Sequence, residues 1–161
     1  MSDDAERGAE MPVEDSGRLE RAWKRAIAEG DKGPVLEAAR AAQARFQQQG
    51  VDGVANLLAP DFELHMDALF LDGRVYRGVE GMRRWRRDLE ELFEYDRFDV
   101  LAVRERGEVL LQIGRMYAKG KSSSVEVDLP FAYLVRMRGD KLVRLTMYAD
   151  VEQALADAGI S

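Results

Sequence analysis

The side chains that could carry out acid–base chemistry are few, and the first group surrounds the single histidine of the chain. His65 lies within the stretch 62–66 (FELHM), and Asp67 follows directly. A histidine titrates near neutral pH and a carboxylate can accept a proton, so both are candidate general bases. The alternation of the stretch predicts a half-buried strand with Phe62 and Met66 inside and His65 on the outer face or at a dimer interface. Both interpretations of His65 stay open.

The second candidate is Arg115, in the predicted strand 108–119. It alternates with Val109, Leu111 and Ile113, which predicts that it faces inward, and Tyr117 shares this alternation. A guanidinium in an apolar interior must be paired or must bind an anionic group, because an unpaired buried charge is very costly. The alternative is that a bulge turns Arg115 outward, or that it lies near a strand end and reaches water.

The third candidate is Tyr133, which lies in an apolar row of the predicted strand 124–138. A phenol can donate a hydrogen bond to a developing enolate oxygen. The alternative is a core tyrosine whose hydroxyl has an internal partner. Around Arg115, Tyr117 and Tyr133 we expect a mostly apolar ligand pocket, since such a mixture is typical of small-molecule sites. The apolar residues predicted to line it are Phe62, Met66, Trp85, Phe131 and Met147.

The elements that would position these residues follow from periodicity. Apolar stripes predict helices over residues 16–29, from Val35 onward, over 54–58, over 78–95 and over 151–158. Four strands joined by hairpins are predicted between residues 97 and 148. Helices followed by a run of strands indicate an α+β fold with a mostly antiparallel sheet.

Composition limits the class of protein. The 161 residues suit one domain, and the net charge of −6 does not favour a nucleic-acid partner. With no cysteine and one histidine, we expect neither a metal nor another cofactor. No apolar run approaches the length of a membrane span, and the N-terminus has neither a basic start nor an apolar run, so a cytoplasmic protein is expected.

Several phrases together resemble a known family. They are LLAPDFEL, DGRVYRGVEGMRRW, DLPFAYLVRMRGDKLVRL and MYADVEQALADAGI. In their order they are similar to a SnoaL-like domain of the nuclear transport factor 2-like superfamily, over about residues 35–160. We therefore divide the chain into a disordered tail (1–16), a helical extension (17–33) and this domain. The resemblance implies a cone-shaped, cystatin-like fold, in which a strongly curved sheet packs against helices around a pocket.

The resemblance also bears on the site residues. The family often has a His-Asp pair at the end of the first strand, but here Met66 separates His65 from Asp67. Tyr133 lies near the position where ketosteroid isomerases of the superfamily carry an oxyanion-stabilising acid. Tyr117 stands where epoxide hydrolases of the superfamily need an aspartate, which argues against that activity.

Two functions are consistent with these residues. The first is a proton-transfer enzyme (isomerase, cyclase or dehydratase) acting on a small hydrophobic carbonyl compound through Asp67, His65 and Tyr133. The second is a non-catalytic domain for ligand binding or dimerisation. Dimers through the outer sheet face are frequent in the superfamily, and a homodimer is expected here because several residues of predicted outward alternation are apolar or small. These residues are Leu110, Gly114, Met116, Ala132 and Leu134.

Overall fold

The computed structural model describes residues 13–66, 74–123 and 125–160, with side chains from Gly17 onward. The described residues begin with two helices, and the second half of the chain is almost entirely sheet. The four helices of the described residues are α1 (Val13–Glu29), α2 (Pro34–Gln49), α3 (Gly78–Leu92) and α4 (Val151–Ala158). Two short 3₁₀ helices, Gly50–Gly53 and Ala55–Leu57, connect α2 to the first strand.

Six strands form one curled sheet that does not close on itself. They are β1 (Leu58–Met66), β2 (Val75–Arg77), β3 (Phe93–Arg106), β4 (Val109–Gly120), β5 (Glu126–Arg138) and β6 (Lys141–Tyr148). Their order is β2-β1-β6-β5-β4-β3, with β1 and β6 parallel and every other pair antiparallel. The predicted α+β class with a mostly antiparallel sheet is therefore confirmed.

Each face of the sheet has its own apolar layer. The inner face packs against α2 and α3, and its largest fully buried residues include Phe62, Leu64 and Phe131. The outer face packs against α1 and α4 through Leu111, Ile113 and their neighbours. A strand in the middle of such a sheet is buried on both sides, so its sequence reads as continuously apolar. This applies to β4, whose first eight residues are buried except for Leu110 and Arg115.

Most element boundaries agree with the periodicity. The predicted closing helix is confirmed as α4, with the Asp150 carboxylate accepting hydrogen bonds from two backbone amides of the first turn. Gly159 ends α4 in the left-handed conformation at φ 73°. Helix α3 is shorter than predicted, because Phe93 already begins β3, and Leu92 is 45% exposed.

The predicted short helix over residues 54–58 is present as the 3₁₀ helix Ala55–Leu57, one residue shorter at each end. A 3₁₀ turn ends at Leu57 and strand β1 begins at Leu58, so Pro60 lies inside a strand. The pairing of β1 with β6 shifts register between Leu58 and Glu63. Proline has no amide hydrogen to donate, and an irregular part of a strand is one of the places where it is tolerated.

Helix α1 begins at Val13, three residues before the predicted start at Ser16. It follows that the last residues of the expected disordered tail (1–16) are helical, while residues 1–12 lie outside the described part. The segment after α1 is also tied to the sheet, since Asp31 exchanges backbone hydrogen bonds with Val103 of β3 at 2.8 and 3.1 Å. The segment that follows α1 is thus attached to the edge strand β3.

The reasoning behind the expected dimer face needs correction. Leu110 and Met116 lie on the inner face, in the cluster with α2 and α3. Ala132 and Leu134 do lie on the outer face, but they are 0% and 8% exposed beneath the helices there. The expected apolar patch is therefore covered within the chain itself, because the sequence pattern alone did not show that α1 packs on this face.

Within the described residues, no helix is both long and apolar enough to cross a membrane. The same part of the chain contains no group of three histidine or carboxylate side chains arranged to hold a metal ion.

Candidate functional site: an apolar cavity inside the sheet

A cavity of about 210 Å³ lies between the inner face of the sheet and helices α2 and α3. Most of its walls are aliphatic. Those aliphatic residues are Val35, Ala38, Ala39, Ala42, Val54, Leu57, Leu58, Leu64, Met82, Leu110, Val135, Met137, Leu142, Leu145 and Met147. The remaining lining residues are Phe46, Gln43, Trp85, Gln112 and Tyr133. A mainly apolar concavity with a few polar groups is typical of a small-molecule site.

Trp85 enters the cavity from α3, whose apolar stripe turns Met82, Trp85 and Leu89 toward the sheet. The indole is stacked on Phe46 of α2, with ring centroids 5.8 Å apart and an angle of 28° between the planes. Its Nε1 is buried and has no hydrogen-bond partner among the described residues. An indole nitrogen in the interior usually finds an acceptor, so this donor is unusual.

Gln112 enters the cavity from the centre of β4 and is only 8% exposed. Its Oε1 is buried and accepts no hydrogen bond from the described residues. Our sequence reasoning missed this residue. The available signal was the run VLLQI at residues 109–113, where Gln112 is the one polar side chain in an otherwise apolar stretch.

Tyr133 lies directly opposite Gln112 in the pairing of β4 with β5, so both side chains stand next to each other on the inner face. Its ring is stacked on Phe98 at 4.1 Å and meets the edge of Phe131 at 5.8 Å. Burial raises the pKa of the Tyr133 phenol well above its ordinary range, the Asp96 carboxylate adds to this, and Arg86 opposes it. The hydroxyl therefore stays protonated and able to donate near neutral pH.

Arg115 lies on the opposite side of the sheet from the cavity. Its Nε donates to Asp128 at 2.6 Å, its Nη2 lies 2.8 Å from Glu20 of α1, and its guanidinium carbon lies 4.9 Å from the Trp23 ring centroid. The hydrogen bond to Glu20 is the main reason that the pKa of Arg115 is raised, and the bond to Asp128 adds to it although burial opposes both.

The expectation that Arg115 and Tyr117 line the pocket is therefore wrong. Tyr117 shares the outer face, where Arg97 lies over its ring at 4.6 Å. The sequence predicts that Val109, Leu111 and Ile113 face inward, but these residues pack against α1 and α4 on the outer face. The set of β4 that faces the cavity is Leu110 and Gln112.

Comparison with known proteins places this geometry in a family. The model of the SnoaL-like domain matches residues 39–145, which is more than half of the chain. The chain belongs to the SnoaL-like family. No curated protein matches the sequence.

Solved structures with the same fold share little sequence with this SnoaL-like domain. One is a hypothetical protein of ketosteroid isomerase-like fold from Catenulispora acidiphila in complex with trimethylamine (TM-score 0.62, 18% identity, 81% of this chain and 96% of that chain). Another is a protein of unknown function from Burkholderia pseudomallei, described as similar to nuclear transport factor 2 (TM-score 0.64, 16% identity, 78% and 97%). A third is TerC, co-crystallised with polyporic acid (TM-score 0.63, 19% identity, 75% and 95%). At these identities the likeness concerns the fold.

His65 of the SnoaL-like domain lies on the outer face, as its alternation with Phe62, Leu64 and Met66 indicated. Its Nε2 lies 2.9 Å from Glu63 Oε1, and Arg144 Nη2 approaches its Nδ1 at 3.4 Å. A neutral imidazole with its proton on Nε2 fits both contacts. The hydrogen bond from His65 lowers the pKa of Glu63, and the charge of Arg77 adds to this. His65 is thus separated from the cavity by the sheet, and Asp67 lies outside the described residues.

The other expected lining residues lie on the inner face with different exposure to the cavity. Met147 lines it directly. Met66 and Phe131 surround a much smaller gap of about 10 Å³, which Trp85 and Asp96 also border. Phe62 is fully buried in the same layer. Asp96 is paired with Arg86 at 2.8 and 2.9 Å, so this carboxylate near Trp85 already has a cationic partner.

The cavity of this SnoaL-like domain can therefore enclose an apolar body and offer it hydrogen bonds. Its polar groups are an indole N–H, a phenol and two side-chain amides. Among the described residues that line it, none carries a carboxylate, imidazole, ammonium or guanidinium group. This set suits recognition of a ligand and supplies no general base from those residues.

Proposed function

We propose that this SnoaL-like domain binds a small, mostly apolar molecule in the cavity between its sheet and helices α2 and α3. The observation that carries the proposal is the presence of Trp85, Gln112 and Tyr133 in a wall that is otherwise aliphatic and aromatic. Burial of a polar group costs free energy unless the group is hydrogen-bonded. Buried polar side chains are therefore expected to form a hydrogen bond either with a ligand or within the folded protein.

The size of the cavity limits the ligand. An apolar cavity of about 150 Å³ accepts benzene. The 210 Å³ found here therefore admits one aromatic or alicyclic ring system with a few substituents. Two structures of similar fold were solved with a small molecule, one in complex with trimethylamine and the other co-crystallised with polyporic acid, which supports binding as a use of this fold.

The test is a screen of small ring compounds by thermal shift and calorimetry, with a matched pair of variants on α2. Ala42 lines the cavity, whereas Ala41 on the same helix is exposed. We expect Ala42→Phe to fill part of the cavity and weaken ligand binding at least about tenfold, because the space for the ring is lost. Ala41→Phe should bind as the parent does. Equal binding by both variants, or no ligand in a broad panel, would contradict the proposal.

A second candidate is proton transfer on a small hydrophobic carbonyl compound, by isomerisation, cyclisation or dehydration. Tyr133 favours it, since a buried phenol of raised pKa can hydrogen-bond an enolate-like oxygen without losing its proton. The base assigned to this function is Asp67. His65 is set aside because it lies on the outer face.

Exchange with solvent deuterium tests this candidate independently of any product. A cyclic ketone that binds should lose its α-hydrogens faster in D₂O with the parent protein, as measured by NMR. We expect Asp67→Asn to abolish the acceleration and Tyr133→Phe to reduce it about 10²-fold, with binding retained in the first variant. If the ketone binds but its hydrogen exchange is not accelerated, the proton-transfer function is contradicted and the non-catalytic binding function is retained.

A further inference from the structure

Two polar atoms in the cavity wall form a complementary pair. Trp85 Nε1 is a donor and Gln112 Oε1 is an acceptor, and neither has a partner among the described residues. Their residues are only 4% and 8% exposed. Folded proteins pair almost all buried polar groups, because an unmade hydrogen bond costs more than a made one gains. Two such atoms lining one cavity indicate what a ligand must supply.

The two groups come from independent elements that hold them firmly. Trp85 is fixed on α3 by its stack with Phe46. Gln112 is fixed at the centre of the sheet, between Val103 of β3 and Tyr133 of β5. A ligand with an acceptor for the indole and a donor for the amide oxygen would satisfy both groups, and the Tyr133 phenol beside Gln112 is available for a further contact.

Charge in the ligand is disfavoured by the same wall. The cavity has no charged side chain among the described residues that line it. The nearby Asp96 and Arg86 neutralise each other across two contacts of 2.8 and 2.9 Å. A carboxylate or ammonium entering the cavity would lose its water without gaining a free counter-charge, which is costly.

We propose, building on the proposed binding function, that the ligand is an uncharged ring compound carrying both a carbonyl-type acceptor and a hydroxyl or N–H donor. The acceptor receives the hydrogen bond of Trp85 Nε1, and the donor gives its own to Gln112 Oε1. The sequence left open whether Arg115 is paired within the chain or binds an anionic group of the ligand, and an anionic group is not part of this class. The guanidinium of Arg115 forms an ion pair with Glu20 of α1 on the other side of the sheet.

A set of indane derivatives separates the contributions of an acceptor, a donor and a charge to the binding affinity. Indane fits the cavity volume and has no polar group, 1-indanone adds an acceptor, 5-indanol adds a donor, and the hydroxy-1-indanone isomers carry both. Indane-5-carboxylate adds a charge. We expect at least one hydroxy-1-indanone to bind about tenfold more tightly than indane by calorimetry, and the carboxylate to bind more weakly than indane.

Two variants assign each contact to its residue. In Gln112→Leu the advantage of 5-indanol over indane should disappear, while the advantage of 1-indanone over indane is kept. In Trp85→Phe the advantage of 1-indanone over indane should disappear, while that of 5-indanol is kept; each ratio is measured within one variant, because both residues line the cavity and either change alters the contact with every ligand. As a check on folding, Gln112→Leu should unfold at the same temperature as the parent or higher, because it replaces a buried oxygen that has no partner among the residues the structure describes.

The outcomes distinguish this inference from the proposed function. If all the indanes bind equally in the parent and in both variants, the cavity binds ligands but the pairing with Trp85 and Gln112 is overturned. Tight binding of the carboxylate would overturn the requirement for an uncharged ligand. If nothing binds here or in the wider screen, the proposed function itself fails and this inference fails with it.

Discussion

The indole Nε1 of Trp23 donates a hydrogen bond to the backbone carbonyl of Gly114 at 2.7 Å, which joins helix α1 to the centre of strand β4. The contact lies on the outer face of the sheet, where Ala26 of α1 is also buried. The same helix supplies Glu20 to Arg115, the residue after Gly114. The N-terminal extension is therefore an integral layer of the fold.

We expect Trp23→Phe to lower the free energy of unfolding by about 1–3 kcal/mol, because an aromatic ring remains at this position while the Gly114 carbonyl loses its donor. Urea unfolding followed by circular dichroism measures the change. Lys24→Ala, at an exposed position of the same helix, is the control and should change stability by less than about 0.5 kcal/mol. Equal effects of both changes would mean that the indole contact contributes nothing to stability.

Gly114 itself should not tolerate a side chain. A Cβ at this position would lie 1.8 Å from the backbone oxygen of Asp99 on the neighbouring strand. Because backbone atoms on both strands would have to move, we expect Gly114→Ala to cost at least about 3 kcal/mol in urea unfolding or to prevent folding. Gly33→Ala is the matched control, since a Cβ there meets nothing within 4 Å. A Gly114→Ala protein of parental stability would show that this close approach is wrong.

The oligomeric state tests whether α1 covers the outer face in solution. We expect the parent chain to sediment as one 18.2 kDa species at micromolar concentration, because the apolar rows of β4 and β5 are buried beneath α1 and α4. The double variant Trp23→Ala/Ile27→Ala loosens α1 and should self-associate at lower concentration. A dimeric parent would support the homodimer expected from the sequence, through a surface other than the buried row.

Alkaline stability tests the burial of Tyr133. Its pKa is raised in the folded state, so the unfolded chain loses this proton first, near pH 10, and stability falls as the pH rises further. We therefore expect the urea midpoint to fall less between pH 9 and 11 in Tyr133→Phe than in the parent. Tyr95 is 50% exposed, and Tyr95→Phe should follow the parent curve. Identical slopes for all three proteins would mean that the Tyr133 hydroxyl reaches water.

Parts of the cavity were predictable because one face of certain strands is clearly apolar. In β5 the row that contains Phe131, Tyr133 and Val135 was assigned inward, and the structure buries it against α2 and α3. In β1 the alternation placed His65 away from Phe62, as observed. Strands with one apolar set leave one consistent orientation.

Gln112 and Arg115 show where this reasoning fails. Both faces of β4 are covered by helices, so Val109 and Leu110 are equally compatible with either direction. Assigning Val109 to the inner face wrongly predicts that Arg115 lines the cavity and that Gln112 does not, because residues separated by an odd number of positions in a strand lie on opposite faces. The argument that a buried charge needs a partner was correct for Arg115. That partner is Glu20, which lies 95 residues earlier in the chain.

By itself, the sequence determined the α+β class, the helix α4 with its caps, the four long strands in order and the membership of the SnoaL-like family. These depend on local periodicity, on turn and cap residues and on phrases that can be read in order. Only the tertiary structure decided which face of β4 the cavity uses and that α1 covers the other face. It also decided that Trp85 Nε1 and Gln112 Oε1 have no hydrogen-bond partner within the described part of the chain. Each of these depends on which distant elements pack against a strand, and a strand buried on both sides carries no periodicity that reveals it.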